Sequence, residues 1–348
     1  MKTEHILIIR FSAMGDVAML VPVVSSLAEQ YPHVRITVLS QPFAASFFEN
    51  IAPNVHFMAA DIKKEYKGVK GLNALYRRLI AKKFTAIADC HDVLRTKYLR
   101  MRYKMSCYNV AHINKHRADK HRLTRRDNKH LEPVQSAFLN YADVFAKLGY
   151  PVNLHFDTLI RPQQDDIDSL LAKLHIGAKA EPWIGIAPFA AHNGKIYPID
   201  KTRQVISTLT ERHPDARIFL FGGGAKEMDT FAQWEQQLPQ CITAARHLRG
   251  LHEELLLMSQ LDVMLSMDSA NMHLASLVAT PVVSIWGATH PYAGFMGWNQ
   301  KAEDAIQADL PCRPCSIYGS RKCHRGDYAC LNTILPETIV SQIESHLD

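Results

Sequence analysis

The chain has 348 residues, 47% of them hydrophobic and 21% charged, with a formal net charge of +6 at pH 7. That length and balance fit a globular protein of two domains and exclude a disordered or fibrous one. No apolar run approaches the roughly 20 residues that cross a bilayer, and Glu4, Arg10 and Asp16 break the N-terminal apolar stretch, so the chain is expected in the cytoplasm without a signal peptide.

Strand-like and helix-like segments alternate from the first residues onward. A strand at His5–Arg10 (HILIIR) leads through a turn with Gly15 into an apolar helix from about Val17 to Gln30. Strands at Val34–Leu39, Val55–Met58 and Ala86–Asp89 follow, separated by helices near Phe43–Asn50 and Leu72–Lys83. Next comes a basic stretch, Arg95–His130, with 12 Lys/Arg, four His and two acids, Asp119 and Asp127. Residues 1–160 hold 24 Lys+Arg against 13 Asp+Glu, a net of +11; residues 161–348 hold 16 against 21, a net of −5. The first half should therefore meet something anionic. An amphipathic helix at Pro133–Leu148 stops at Gly149 and Pro151, and a linker over Arg161–Glu181 carries a short helix. The second half has strands at Trp183–Ala187, Arg217–Phe221, Ile242–Ala244, Val263–Met267 and Val282–Trp286. Helices at Lys201–Arg212, Glu227–Gln237, Glu253–Ser259 and Asn271–Ala279 separate them, and a last helix spans about Pro336–His346. Two such series predict an α/β protein of two Rossmann-like domains, 1–160 and 161–335, with parallel sheets facing an interdomain cleft.

Ligands of open parallel sheets bind beyond the carboxyl ends of the strands, so the polar residues there are candidates. "SMDSANMHLAS" (266–276) places Asp268 and Ser269 at a strand end and His273 about 1.4 turns into the next helix. Asp268 and Ser269 read either as helix caps or as part of an anion site built on free helix-start N–H groups. Lys195, in "APFAAHNGKIYP", is either a solvated loop cation or a second contact to the same anion. "FGGGAKE" (221–227) fits neither dinucleotide nor Walker pattern, and Glu227 reads as a first-turn helix acid or a ribose contact. In the first half, "RFSAMGD" (10–16) ends in Asp16, a cap or a general base, beside Gly15, which permits close approach.

These stretches, with "ILIIRFSAMGDVAMLVPVVSSL" and "LRGLHEELLLMSQLDVMLSMDSANMHLASLVATPVVSIWGAT", occur in order over about residues 5–295. Together they resemble the landmarks of glycosyltransferase family 9, the lipopolysaccharide heptosyltransferases. The resemblance implies GT-B architecture and an inverting, metal-independent transfer of heptose or a related sugar from an ADP-sugar to an anionic lipopolysaccharide core. It implies Asp16 as catalytic base, Lys195 on the donor phosphates, and Glu227 at the nucleoside. It further implies Asp268, Ser269 and His273 at the donor diphosphate and sugar. Ala270 departs from the family's usual glycine, and its methyl could crowd the phosphate or restrict the turn.

Under the same resemblance Arg122, Arg125 and Arg126 become acceptor-binding candidates, against the reading of a solvated face. Arg95–Arg102 could dock on anionic headgroups, giving peripheral contact with the inner membrane. Cys312, Cys315, Cys323 and Cys330 are a candidate structural zinc set, or reduced thiols. "DID" (166–168) reads as acids at a helix start rather than a metal motif. The last helix could cross back to the first domain. Two rival functions stay open: a sugar-nucleotide epimerase or hydrolase, and a basic nucleic-acid binder, the latter without a recognisable motif. Acceptor, linkage, donor sugar and oligomeric state are not legible in the sequence.

Overall fold

The computed structural model describes residues 4–347. The chain divides into two compact units: Met1–Lys115 with Gln135–Leu159, and His116–Val134 with Ile160–Asp348. Each is built on one parallel sheet.

The first unit runs β1 (His5–Ile9), α1 (Met14–Ala18), α2 (Val21–Gln30), β2 (Arg35–Ser40), β3 (Val55–Ala59), α3 (Gly68–Ile80), β4 (Ala86–Asp89), α4 (Leu94–Met105) and β5 (Asn109–His112). After an excursion containing α5 (Arg117–Leu123) it closes with α6 (Ala137–Lys147). The strands pair in the order β3-β2-β1-β4-β5, all parallel. All five residues of β1 are buried, as a central strand covered on both faces requires. The helix expected over Val17–Gln30 is two helices, because Pro22 has no N–H to give and its ring would meet the carbonyl of Ala18. Pro22 instead sits in the first turn of α2, where its fixed φ is favourable. Leu7, Ile9, Phe11, Leu75, Leu79, Ile87 and Leu99 form a core on one face of the sheet.

The second unit runs α7 (Gln164–Leu174), β6 (Trp183–Ala187), α8 (Ile199–Arg212), β7 (Arg217–Leu220), α9 (Ala225–Gln237) and β8 (Cys241–Thr243). It continues through α10 (Gly250–Met258), β9 (Val263–Met267), α11 (Ala270–Leu277), β10 (Val282–Trp286), β11 (Ala305–Gln307) and α12 (Pro336–Glu344). The strand order is β11-β10-β9-β6-β7-β8, again parallel throughout. Asp166 accepts the Gln163 N–H at 2.9 Å and starts α7, so the D-x-D segment is a helix start.

Two segments depart from the expected division. The C-terminal helix, a candidate for crossing back, packs α12 against α8 in the second unit, with Ile339, Val340 and Ile343 fully buried in that core. Arg212 binds Glu337 at 2.8 Å and Glu344 at 3.1 Å beside it. The stretch 116–134, expected in the first domain, also belongs to the second unit. The Lys129 ammonium donates to the carbonyls of Pro311 (3.1 Å), Arg313 (2.8 Å) and Pro314 (3.1 Å). Lys120 lies 3.9 Å above the Phe295 ring, and Val134 donates to the Tyr292 carbonyl at 2.8 Å. Among the described residues, no helix is long and apolar enough to cross a membrane.

Candidate active site

In the second unit the strand order reverses between β6 and β9, and the loops after such a pair form the ligand crevice of this fold class. Those loops carry Lys195 and Asp268. β6 and β9 are hydrogen-bonded neighbours, so the residues that follow them are brought together although 73 positions apart in the chain. Lys195 Nζ lies 3.1 Å from Asp268 Oδ2. The side chain of Asp268 is 6% exposed and that of Lys195 is 16% exposed, so the carboxylate is the more buried of the pair. Tyr197 anchors the loop from below: it is fully buried and its hydroxyl donates to the Ile334 carbonyl at 2.9 Å.

The start of α11 separates the two readings of Ser269. A capping serine accepts an N–H from the first turn of its helix, whereas Ser269 makes no such bond. Its hydroxyl instead shares a 3.2 Å hydrogen bond with Ser266. Ser269 thus leaves the first-turn N–H groups of α11, and the positive end of its dipole, uncapped by its own side chain. Ala270 is the first residue of α11 and has a helical backbone, so the turn does not need glycine there. His273 is buried in the second turn.

Glu227 behaves as a first-turn acid: its Oε2 accepts the N–H groups of Gly223 (2.9 Å) and Gly224 (3.2 Å) at the start of α9. The fold-back passes close to Gly222, where a β-carbon would stand 2.6 Å from the same oxygen and displace the Glu227 carboxylate.

In the first unit the order reverses between β1 and β4. The loop after β1 carries Gly15 and Asp16 in the first turn of α1. Asp16 Oδ2 is 2.7 Å from Arg10 Nη2 and accepts the Ala13 N–H at 3.1 Å. The Arg10 side chain is 6% exposed and that of Asp16 is 30% exposed, so the carboxylate is in front. Arg10 is held by the Cys90 carbonyl at 2.7 Å, and Tyr141 donates to the Asp16 carbonyl at 3.0 Å.

The loop after β4 was missed at the level of sequence. Buried Asp89 accepts the His91 and Asp92 N–H groups and binds Arg100 at 3.0 Å. His91 Nδ1 accepts the Phe11 N–H at 3.4 Å, and its Nε2 lies 3.5 Å from the Ser12 hydroxyl, beside the Asp16 loop. Burial, then the charges of Arg10 and Lys115, push His91 down to about 3, so it is neutral at pH 7. The signal was present: "ADCHD" (88–92) is a polar run directly after a strand, as at Asp268.

Arg122, Arg125 and Arg126 are exposed and lie in or just after α5, on the arm docked to the second unit. Arg122 pairs with Asp119. Of the two readings of the cysteine segment, zinc set or reduced thiols, the structure assembles no zinc set: among the described residues, no group of three or more His, Cys, Asp or Glu is placed to hold a metal ion. None of the four is in a disulfide, and Cys330 is packed in the core with Leu331 and Ile334. Burial pushes the Cys330 thiol up to about 11. The segment is pinned instead by buried Arg313, which donates to the carbonyls of Gly287 (2.6 Å), Trp286 (2.9 Å) and Thr289 (3.0 Å).

Residues 72–324 match the model of a family described as glycosyltransferase family 9 (heptosyltransferase). Among curated proteins the chain is 24% identical over 303 residues to lipopolysaccharide heptosyltransferase 3 of Escherichia coli (strain K12), covering 84% of each chain. A glycosyl transferase family 9 structure from Veillonella parvula superposes with a TM-score of 0.73 at 17% identity, over 100% of this chain and 98% of that one. The E. coli heptosyltransferase WaaC, solved with ADP, superposes with a TM-score of 0.67 at 17% identity, over 98% and 99%. The fold is that of these proteins.

Proposed function

The chain belongs to glycosyltransferase family 9 (heptosyltransferase), and we propose that it moves a heptose from an ADP-linked donor to an anionic lipopolysaccharide inner-core acceptor, inverting the anomeric carbon. The donor assignment is supported most by the corner after β6 and β9, where the Lys195 ammonium, less buried than its partner Asp268, stands beside a helix start left uncapped by Ser269. Such a pairing suits a diphosphate, which needs several donors and positive charge. In this reading Asp268 orients Lys195, and Glu227 turns from its own loop toward the ribose hydroxyls.

Asp16 takes the proton of the acceptor hydroxyl as that oxygen attacks the anomeric carbon. The bond to the diphosphate breaks on the opposite side, and ADP leaves with the electron pair. The Arg10 guanidinium, 2.7 Å behind Asp16, holds the carboxylate in position for the attack. Lys195 and the N–H groups at the start of α11 meet the charge on the departing diphosphate, so the step runs without a divalent cation. Arg122, Arg125 and Arg126 bind acceptor carboxylates and phosphates. The two-domain reading of the sequence, first unit for acceptor and second for donor, is kept with the amendment that this arginine arm travels with the second unit.

The test is to incubate the purified protein with ADP-heptose and a panel of truncated core acceptors, with and without EDTA. The expected outcome is an inverted glycoside and equimolar ADP, unaffected by EDTA. Replacing Arg122, Arg125 and Arg126 together by Ala should raise the acceptor KM by about tenfold or more and leave the donor KM unchanged. ADP release without acceptor at the same rate, or epimerised sugar, would assign the chain to the rival enzyme class.

A further inference from the structure

The cysteine-rich segment after β11 has no part in the transfer described above, yet it packs on the residue assigned to the donor phosphates. Arg313 fastens it to the end of β10. Just beyond, the N–H groups of Cys315 (3.1 Å) and Ser316 (3.2 Å) both donate to the Ala288 carbonyl. Ala288 in turn donates its N–H to the Gly194 carbonyl at 2.8 Å, one residue before Lys195. From Ser316 the chain turns back at Gly319, and Arg321 closes the turn by donating to the Cys315 carbonyl at 3.3 Å. The loop after β6 therefore meets the loop after β10 on one side and the cysteine-rich turn on another.

The approach is backbone to backbone. A β-carbon on Gly194 would stand 2.8 Å from the Gly319 carbonyl oxygen. At Gly319 two constraints meet. Its φ is +72°, and a β-carbon there would collide with Lys195 Cγ and stand 2.7 Å from Cδ. Gly319 is buried, so the stem of Lys195 runs along its backbone rather than through water. The far end of the side chain is held separately, with Nζ 3.1 Å from Asp268 Oδ2. A lysine is a point charge on a flexible four-carbon stem, and ordering that stem costs entropy when a ligand arrives. Here the stem is walled on one side and the tip is anchored before any ligand is bound.

We propose that the Gly319 turn is a positioning element for Lys195: it bars the stem from one side and so fixes where the ammonium meets a donor diphosphate. The inference rests on the reading of Lys195 as a diphosphate ligand. A side chain at position 319 would have to displace the Lys195 stem, because the next neighbour within reach, the His192 β-carbon, is 3.7 Å away and in ordinary contact. Preorganised charge stabilises a departing diphosphate more than charge that must first be gathered. The cysteine-rich segment thereby acts in the site through its backbone and not through its thiols.

Gly326, farther along the same segment, supplies the control. Its φ is +82°, and a β-carbon there would enter open space. G319A and G326A therefore carry similar backbone strain, and only the first meets Lys195. Each is compared by ADP calorimetry and by turnover of ADP-heptose with a truncated core acceptor, in the wild-type and K195M backgrounds, after thermal unfolding has shown it folded. G319A should weaken ADP binding about tenfold and lower kcat about 10–100-fold, and G326A should do neither. In the K195M background G319A should change ADP affinity less than about twofold, because no ammonium is left to displace. G194A presses on the Gly319 carbonyl without a positive φ; it should act as G319A does, and it carries the test if G319A does not fold. ADP affinity in G319A equal to that in G326A, or the same loss in both backgrounds, would overturn the proposal. K195M binding ADP as the wild type does would overturn the donor reading itself, and the proposal with it.

Discussion

The corners after β1 and β9 are built from the same parts and turned opposite ways. Each sets an aspartate just past a buried central strand, at or just before a helix start, and pairs it with one cation: Asp16 with Arg10 at 2.7 Å, Asp268 with Lys195 at 3.1 Å. In the first corner the carboxylate is the more exposed partner, 30% against 6%; in the second the cation is, 16% against 6%. The helix starts follow suit. Asp16 accepts the N–H of Ala13 and so satisfies its own helix start, whereas Ser269 makes no capping bond to α11. Under the proposed function, one corner offers a proton acceptor and the other an anion seat. Exposure, rather than composition, assigns the role.

Neutralising the more exposed charge of each pair should break this contrast differently. The largest effect is expected at Asp16→Asn, which keeps shape and removes the base: kcat should fall by about 10²–10⁴-fold, with donor affinity by calorimetry within twofold of wild type. Normal turnover would reduce Asp16 to a helix cap. Next, Lys195→Met should lower kcat by about 10²–10³-fold and weaken donor binding as well, and it strands the buried Asp268 carboxylate at a cost of about 3 kcal/mol. The double variant K195M/D268N should recover most of that stability in chemical denaturation without recovering turnover, separating support from chemistry.

The smallest effect concerns protons. Burial first, then neighbouring cations, holds His5 and His290 at about 4 and His91 at about 3, below the ordinary 6.5. Below pH 6.5 the unfolded chain therefore binds more protons than the folded one, and stability should fall as pH drops from 6.5 toward 4. Melting temperatures across that window should show the decline, with a shallower slope in H91N. A slope unchanged by H91N would mean that His91 takes up its proton as readily in the fold as in the unfolded chain.

Much of this was legible because the strands of a parallel sheet are buried on both faces and read as apolar runs. Trp183–Ala187, Val263–Met267 and Val282–Trp286 stand where the pattern put them. The edge strands β5 and β11 escaped: Asn109–His112 has two apolar residues and Ala305–Gln307 is three residues long, too little for a period to show. Asp16, Lys195, Glu227 and Asp268 were visible as polar residues past a strand. The pairing of Lys195 with Asp268 was not, since it depends on β6 and β9 being neighbours. The seat of the arm 116–134 was hidden for the same reason: nothing local in the basic run says that Lys129 will meet carbonyls of residues 311–314.

That ammonium, clasped by three carbonyls, constrains how the polypeptide can be taken apart. The chain leaves the first unit after Lys115, re-enters at Gln135 and leaves again after Leu159, so no single cut yields two whole lobes. A gene truncated at residue 160 would carry the arm without its anchorage, baring Lys120 and Leu123 to solvent. Clean separation would require excising the arm and splicing residue 115 to residue 135.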